Sequence, residues 1–289
     1  MFKLNVSLNR KEGQLNEMFT QGLPELFRPA MEYLLTGKSD KETKRVVAQI
    51  EAIRGDIARQ GDKTVPIWYS PRPGSSGHEV TEDLKPQPGD VLEFTMAQLA
   101  KTGKDKRWGT FMHLLAKAAQ ARRIFELGAC VGISGCYLAS TGFVQRFITV
   151  EGSGALAQLA GASIHQVYPE GQVVNTLFDE AIKNILPTLH EKFDLVFIDG
   201  HHEKIATIHY YEKLKPFLAD NALVVFDDIC WSQDMREAWE VLSAKPDFSH
   251  SLDLGVLGVC LYNPGGESRY WDLQPIVGKT PIGKPQGWR

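Results

Sequence analysis

The chain predicts an α/β fold: a Rossmann-like, mostly parallel sheet of seven strands with helices on both faces, preceded by a helical extension. Three observations carry this. From residue 122 onward short β-rich runs alternate with helical stretches, the pattern of parallel strands joined by crossover helices. Two runs, Leu195-Val196-Phe197-Ile198 and Leu223-Val224-Val225-Phe226, are continuously apolar, as central strands covered on both faces must be. A glycine turn, Gly128 to Gly132, separates the first strand from its helix.

The expected strands are residues 123–127, 147–151, 172–176, 193–199, 222–227, and a closing antiparallel pair, 250–254 and 256–262, joined around Gly255. Before them the chain reads as an accessory segment over residues 1–106. In it Ser39-Asp40-Lys41-Glu42 has the form of a capping box, and Val46, Ile50, Ile53 and Ile57 follow at helical spacing. A proline- and glycine-rich connector is expected from Pro66 to Gly89, with Trp68 and Tyr69 either anchoring it or lining a pocket. A second helix, about 107–121, leads into the main domain, expected over residues 107–262. Residues 263–289, rich in Gly and Pro, read as a tail that wraps the surface or reaches a neighbouring subunit, which leaves a homo-oligomer open.

Composition bounds the function. Hydrophobic residues make up 43% and charged residues 23% of the 289, ordinary for a folded domain. The formal net charge of -3 gives no basic surplus, so nucleic acid is not the expected partner. No run approaches the roughly eighteen apolar residues of a membrane span, and a cytoplasmic location is expected. The four cysteines, Cys130, Cys136, Cys230 and Cys260, have no CxxC spacing and read as buried thiols.

The candidate site lies at the strand ends. Glu126-Leu127-Gly128-Ala129-Cys130-Val131-Gly132-Ile133-Ser134 closes the first strand, and its glycines let the backbone approach a ligand where a Cβ would intrude. Glu151 ends the next strand, where a carboxylate can accept both hydroxyls of a ribose. These features suit any nucleoside-containing cofactor, and glycines that merely permit a sharp turn would look the same. Later, Asp199 closes the fourth strand and Asp227-Asp228 the fifth. Adjacent parallel strands would bring the three carboxylates together, and their repulsion asks for a cation or a shared proton; capping of the following helices is the simpler alternative.

The turn lacks the G-x-G-x-x-G spacing of a dinucleotide site. Its E-x-G-x-x-x-G-x-S pattern resembles the first motif of class I S-adenosylmethionine (SAM)-dependent methyltransferases, in particular the catechol and caffeoyl-CoA O-methyltransferase-like group. The resemblance spans about residues 109–262. It implies that Gly128 and Gly132 lie against the methionine part of SAM, with Glu126 in the same motif. Ser134 would hold the methionine carboxylate, Glu151 the ribose, and Asp179 would fall near the adenine, although the glycine often found there is missing. It further implies that Asp199, Asp227 and Asp228 bind a divalent cation such as magnesium, Asp228 replacing the usual asparagine, with Trp231 at the tryptophan of an Asp-Asn-x-x-Trp pattern. Where that group carries a lysine base, this chain has His202, a residue type whose unperturbed pKa near 6.5 suits a base at neutral pH. His201 and Lys204 compete for that role, and His209 reads as packed or solvated.

The expected activity is therefore SAM-dependent methylation of a small-molecule hydroxyl, with Asp199 and His202 at the chemistry and a vicinal diol suited to bidentate metal binding. An NAD-dependent oxidoreductase would share the fold, but no Tyr-x-x-x-Lys pair is placed at the strand ends. A non-catalytic SAM-binding protein would keep Gly128 and Glu151 without needing three acids.

Overall fold

A computed structural model describes residues 2–68 and 91–283. The expected Pro66–Gly89 connector, and Tyr69 with it, lies almost wholly outside them. The chain opens with three helices, α1 (Phe2–Thr20), α2 (Arg28–Thr36) and α3 (Lys41–Arg59). The α3 helix is capped one residue later than the sequence pattern suggests: Asp40, not Ser39, accepts from Thr43 N at 2.7 Å. A carboxylate here also favours the positive end of the helix dipole. Its buried stripe of Thr43, Val47, Ile50, Ile53 and Ile57 faces inward. Strands β1 (Thr64–Trp68) and β2 (Val91–Thr95) pair antiparallel, and α4 (Met96–Thr102) and α5 (Lys106–Ala118) follow, each with a side-chain N-cap, Thr95 and Asp105.

The main domain then alternates β3 (Arg123–Leu127), α6 (Ile133–Ala139), β4 (Arg146–Glu151), α7 (Gly154–Ile164) and β5 (Gln172–Asn175). Beyond it come α8 (Phe178–Glu180), a π turn (Ala181–Ile185), α9 (Leu186–Leu189), β6 (Phe193–Ile198), α10 (Lys204–Leu214), β7 (Leu218–Asp227), α11 (Gln233–Ser243), β8 (Phe248–Asp253) and β9 (Leu257–Tyr262). A last strand, β10 (Arg269–Asp272), and α12 (Gln274–Val277) complete the described chain.

The large sheet has the order β10-β8-β9-β7-β6-β3-β4-β5, with β9 antiparallel to both neighbours and every other pairing parallel. It has eight strands, not the seven expected. The extra one, β10, hides in the Gly- and Pro-rich tail because its four residues are too few for a periodic signal. Tertiary contacts hold it: Tyr270 donates to the buried Asp253 at 2.7 Å, and Trp271 Nε1 to His250 at 3.0 Å. Asp253 is also paired with Arg236 at 2.6 Å and accepts from Gln274 at 3.0 Å. The described tail thus packs on its own chain, and Arg107 ties Val277 O to it at 2.8 Å.

Two apolar cores flank the sheet. One joins Ile124, Phe147, Leu195 and Leu223 to α5, α6 and α7 and takes in the N-terminal helices through Leu15, Phe27, Met31, Ile50 and Ile53. The other packs Phe125, Val196, Val224 and Phe226 against Tyr210, Tyr211 and Trp239 of α10 and α11. Consecutive residues of β3, β6 and β7 therefore point into opposite cores, which explains their unbroken apolar runs. The N-terminal segment shares a core with the sheet. Among the described residues no helix is long and apolar enough to cross a membrane.

Candidate functional site

The strand order reverses direction at β3: β4 and β5 lie to one side, β6 and β7 to the other. At such a switch point the loops leaving the carboxyl ends diverge and open a crevice. The glycine turn follows β3, Asp199 follows β6, and Asp227 ends β7. Ile198 is in register with both Leu127 and Phe226, which brings Asp199 level with Gly128 on one side and Asp227 on the other.

The turn is built from backbone conformations that side chains resist. Gly128 has φ 97° and Gly132 φ 85°. A Cβ on Gly128 would overlap the carbonyl oxygen of Asp199, and one on Gly132 would stand 2.8 Å from Ala160 O. Gly128 thus packs the turn against the loop after β6, and Gly132 packs it against α7. Glu151 closes the turn from β4: its Oε2 accepts from Cys130 N and its Oε1 from Ser153 N, both at 2.9 Å. Burial raises its pKa while those amides oppose the rise. Burial also pushes the Cys130 thiol up to about 12, so it stays protonated at neutral pH.

Glu126, on β3, is fully buried, and neither carboxylate oxygen has a partner within hydrogen-bonding geometry among the described residues. Burial pushes its pKa up to about 7, and the Ser134 and Thr149 hydroxyls, nearby but short of hydrogen-bonding geometry, soften the rise. Ser134 is buried on α6. Asp179, on α8, accepts from or ion-pairs with His209 at 2.7 Å, which gives His209 a partner the sequence did not indicate.

The second half of the site gathers Asp199, Asp227, Asp228 and His202. Asp227 accepts from Asp228 N at 2.7 Å. The imidazole of His202 stands 3.7 Å from Asp199 Oδ1 and 4.0 Å from Asp228 Oδ2, and stacks on Trp231 with centroids 5.3 Å apart. His202 and Asp228 both have positive φ, 44° and 49°, backbone strain of the kind that collects at functional sites. The competing residues point elsewhere. His201 Nδ1 meets Tyr210 Oη at 2.8 Å, and Lys204 pairs with Glu237 at 2.8 Å.

One member was not read from the sequence. Lys104, in the turn between α4 and α5, places Nζ 2.5 Å from Asp227 Oδ1 and 3.3 Å from Asp228 Oδ1. Burial disfavours its charge, but Asp227, Asp228 and Asp199 outweigh that and raise its pKa. A single ammonium does not balance three carboxylates. Burial and mutual repulsion accordingly push Asp227 well above the usual carboxylate range, and burial pushes Asp199 up to about 7, with Lys104 pulling down and Asp228 pushing up. Lys104 lies ahead of the resembling segment and over twenty residues from the nearest motif residue, so no spacing rule could have found it.

A Rossmann-like sheet with a glycine turn, a strand-end Glu151 and a polar cluster beside the switch point forms a crevice of the kind in which open α/β sheets bind ligands. Comparison with known proteins agrees. Residues 125–229 match a family described as "Methyltransferase domain". A catechol O-methyltransferase of Mycobacterium tuberculosis (strain ATCC 25618 / H37Rv) is 31% identical over 135 residues, 46% of this chain and 60% of that protein. The chain thus spans about three fifths of that curated relative. Among solved structures, the O-methyltransferase of Bacillus cereus in complex with SAH is 20% identical with a TM-score of 0.50, covering 74% of this chain and 90% of the other, a likeness of fold. The match over residues 125–229 is thus to a methyltransferase domain, and the likeness to the catechol O-methyltransferase extends over 135 residues.

Proposed function

We propose that this chain transfers a methyl group from SAM to a hydroxyl oxygen of a small molecule. The observation that carries the reading is the convergence, at one switch point, of the Gly128–Gly132 turn with the Asp199, Asp227, Asp228 and His202 cluster. The relative's name, catechol O-methyltransferase, supports the same choice of acceptor atom.

Several residues support SAM as the cofactor. The Gly128–Gly132 turn stands at the crevice, Glu151 ends β4, Asp179 lies in α8 just beyond β5, and both side-chain oxygens of the buried Glu126 are without a hydrogen-bond partner among the described residues. When bound, SAM supplies a methyl group made electrophilic by its sulfonium. The chain's work is alignment of that methyl with the acceptor oxygen, which can remove roughly 7 to 11 kcal/mol of barrier. His202, braced by Trp231 and facing Asp199, takes the hydroxyl proton as the oxygen–hydrogen bond breaks, and Asp199 stabilises the imidazolium that forms.

A divalent cation at the three acids, magnesium in the nearest analogy, does not fit as readily. Hard oxygen donors suit such an ion, but the Lys104 ammonium already occupies Asp227 and Asp228, and no group of three or more His, Cys, Asp or Glu among the described residues is arranged to hold a metal. The free thiols fit a reducing, cytoplasmic setting.

Calorimetry with SAM, S-adenosylhomocysteine and NAD, followed by transfer of a labelled methyl group to a panel of catechols, phenols and alcohols, tests the reading. Binding of SAM and its product with label in an ether product is expected. Binding of NAD alone would overturn it in favour of an oxidoreductase, and SAM binding without transfer to any hydroxyl would leave a non-catalytic binding protein.

A further inference from the structure

The acids at the strand ends are met by a cation that belongs to the chain. Lys104 Nζ lies 2.5 Å from Asp227 Oδ1 and 3.3 Å from Asp228 Oδ1, and its side chain is only 10% exposed. This is not a surface lysine that happens to fold inward, because its backbone is fixed from several sides. Arg54 of α3 donates from Nη1 to Ala100 O at 2.9 Å and from Nη2 to the carbonyl of Lys104 itself. Arg54 is in turn held by Glu51 at 3.2 Å, and Glu51 accepts from Tyr137 of α6 at 2.8 Å. On the other side Asp105 caps α5 by accepting from Trp108 N at 2.9 Å. Gly103 packs so closely on Ile133, the first residue of α6, that an added Cβ would lie 3.3 Å from it.

The arrangement competes with a divalent ion on two counts. Such an ion needs several oxygens at about 2.0 to 2.6 Å, and Asp227, the most buried of the three acids, is already engaged by the ammonium. Two cations at that spacing would also repel each other strongly where the side chains are this shielded from solvent. An ammonium has three N–H donors. With two directed at Asp227 and Asp228, the third is the one with which Lys104 can hold a single hydroxyl oxygen.

We propose that Lys104 is the resident cation of this site, standing where related enzymes are expected to hold a divalent metal, and that it positions a single acceptor hydroxyl by a hydrogen bond instead of chelating a diol. The acceptor class that follows is a lone hydroxyl, phenolic or aliphatic, beside which a vicinal partner adds nothing. This rests on the methyltransferase reading above for the acceptor, though not for the cation.

Manganese binding to the full chain, followed by its paramagnetic resonance signal and by thermal melting, provides the test. The wild type is expected to bind no manganese at millimolar concentration and to keep its turnover in excess chelator. Lys104→Ala, and Lys104→Met should the smaller residue unfold the loop, should leave the acids without their cation. Either variant should then bind manganese and gain about 2 to 4 °C in melting temperature from it, and adding Asp227→Asn should abolish that gain. A wild type that binds manganese at submillimolar concentration and loses turnover in chelator overturns the assignment. So does a folded Lys104→Met that stays as indifferent to manganese as the wild type. S-adenosylhomocysteine binding, measured on the same samples, reports separately on the methyltransferase reading, so failure there leaves the manganese result to judge the cation.

Discussion

Glu151 Oε2 accepts a hydrogen bond from Cys130 N at 2.9 Å, so the carboxylate that ends β4 is fastened to the middle of the glycine turn after β3. Its other oxygen holds Ser153 N, at the cap of α7. One side chain therefore sets the spacing of two loops across which a cofactor would lie. Glu151→Ala leaves two amides without their charged acceptor, and a stability loss of about 1 to 3 kcal/mol is expected in urea melts. Calorimetry should show SAM binding weakened at least tenfold. A variant that loses stability but binds SAM as the wild type does would confine Glu151 to a structural role.

Glu126 gives a pH dependence. Its carboxyl is raised by burial from 4.5 to about 7, so between those values the folded chain holds a proton that the unfolded chain has released. Stability is then lost as pH rises through this window, by up to about 3 kcal/mol at pH 7 and above. Glu126→Gln, neutral at every pH, should flatten the decline. Denaturation midpoints between pH 4.5 and 8 that follow the same curve in both proteins would show that Glu126 ionises freely on folding.

His202, the base in the proposed transfer, stacks on Trp231 and faces Asp199 at 3.7 Å. His202→Ala is expected to lower turnover about 10² to 10⁴-fold while SAM affinity changes little. Single-turnover kinetics separate the two. Full activity in the variant would remove His202 from the mechanism, and the engaged His201 and Lys204 would not be its natural successors, since Tyr210 and Glu237 hold them.

Gly128→Ala would drive a methyl group into the Asp199 carbonyl, at a φ of 97° that alanine rarely adopts. The turn and the β6 loop must then separate. A destabilisation above about 2 kcal/mol with loss of SAM binding is expected, measured by melting and calorimetry. An alanine variant of wild-type stability would mean the turn relaxes without moving Asp199.

Much of this was legible in the residues alone. The unbroken apolar runs of β6 and β7 identify central strands because both faces of such strands are covered. The Gly128–Gly132 spacing, with Glu151 at the next strand end, marks the turn because close backbone approach demands residues without a Cβ. Asp199 and Asp227 could be placed together from sequence because the period of parallel strands fixes which residues reach one edge. The cap of α3 was missed by one position because Ser39 and Asp40 are both good caps and only the chain's entry angle chooses between them. The strand Arg269–Asp272 was missed because its partners, Asp253 and His250, lie about twenty residues upstream.

What the sequence by itself determined was the parallel domain, its glycine turn and the acids at its edge, since these follow from local periodicity and from residue types with few other uses. Only the tertiary structure decided which cation faces those acids. Lys104 arrives from the turn between α4 and α5, held by Arg54 on a helix fifty residues earlier, and no local pattern links the three. An ion pair between distant segments is set by how the helices pack on the sheet. That packing exists only once both apolar cores have closed.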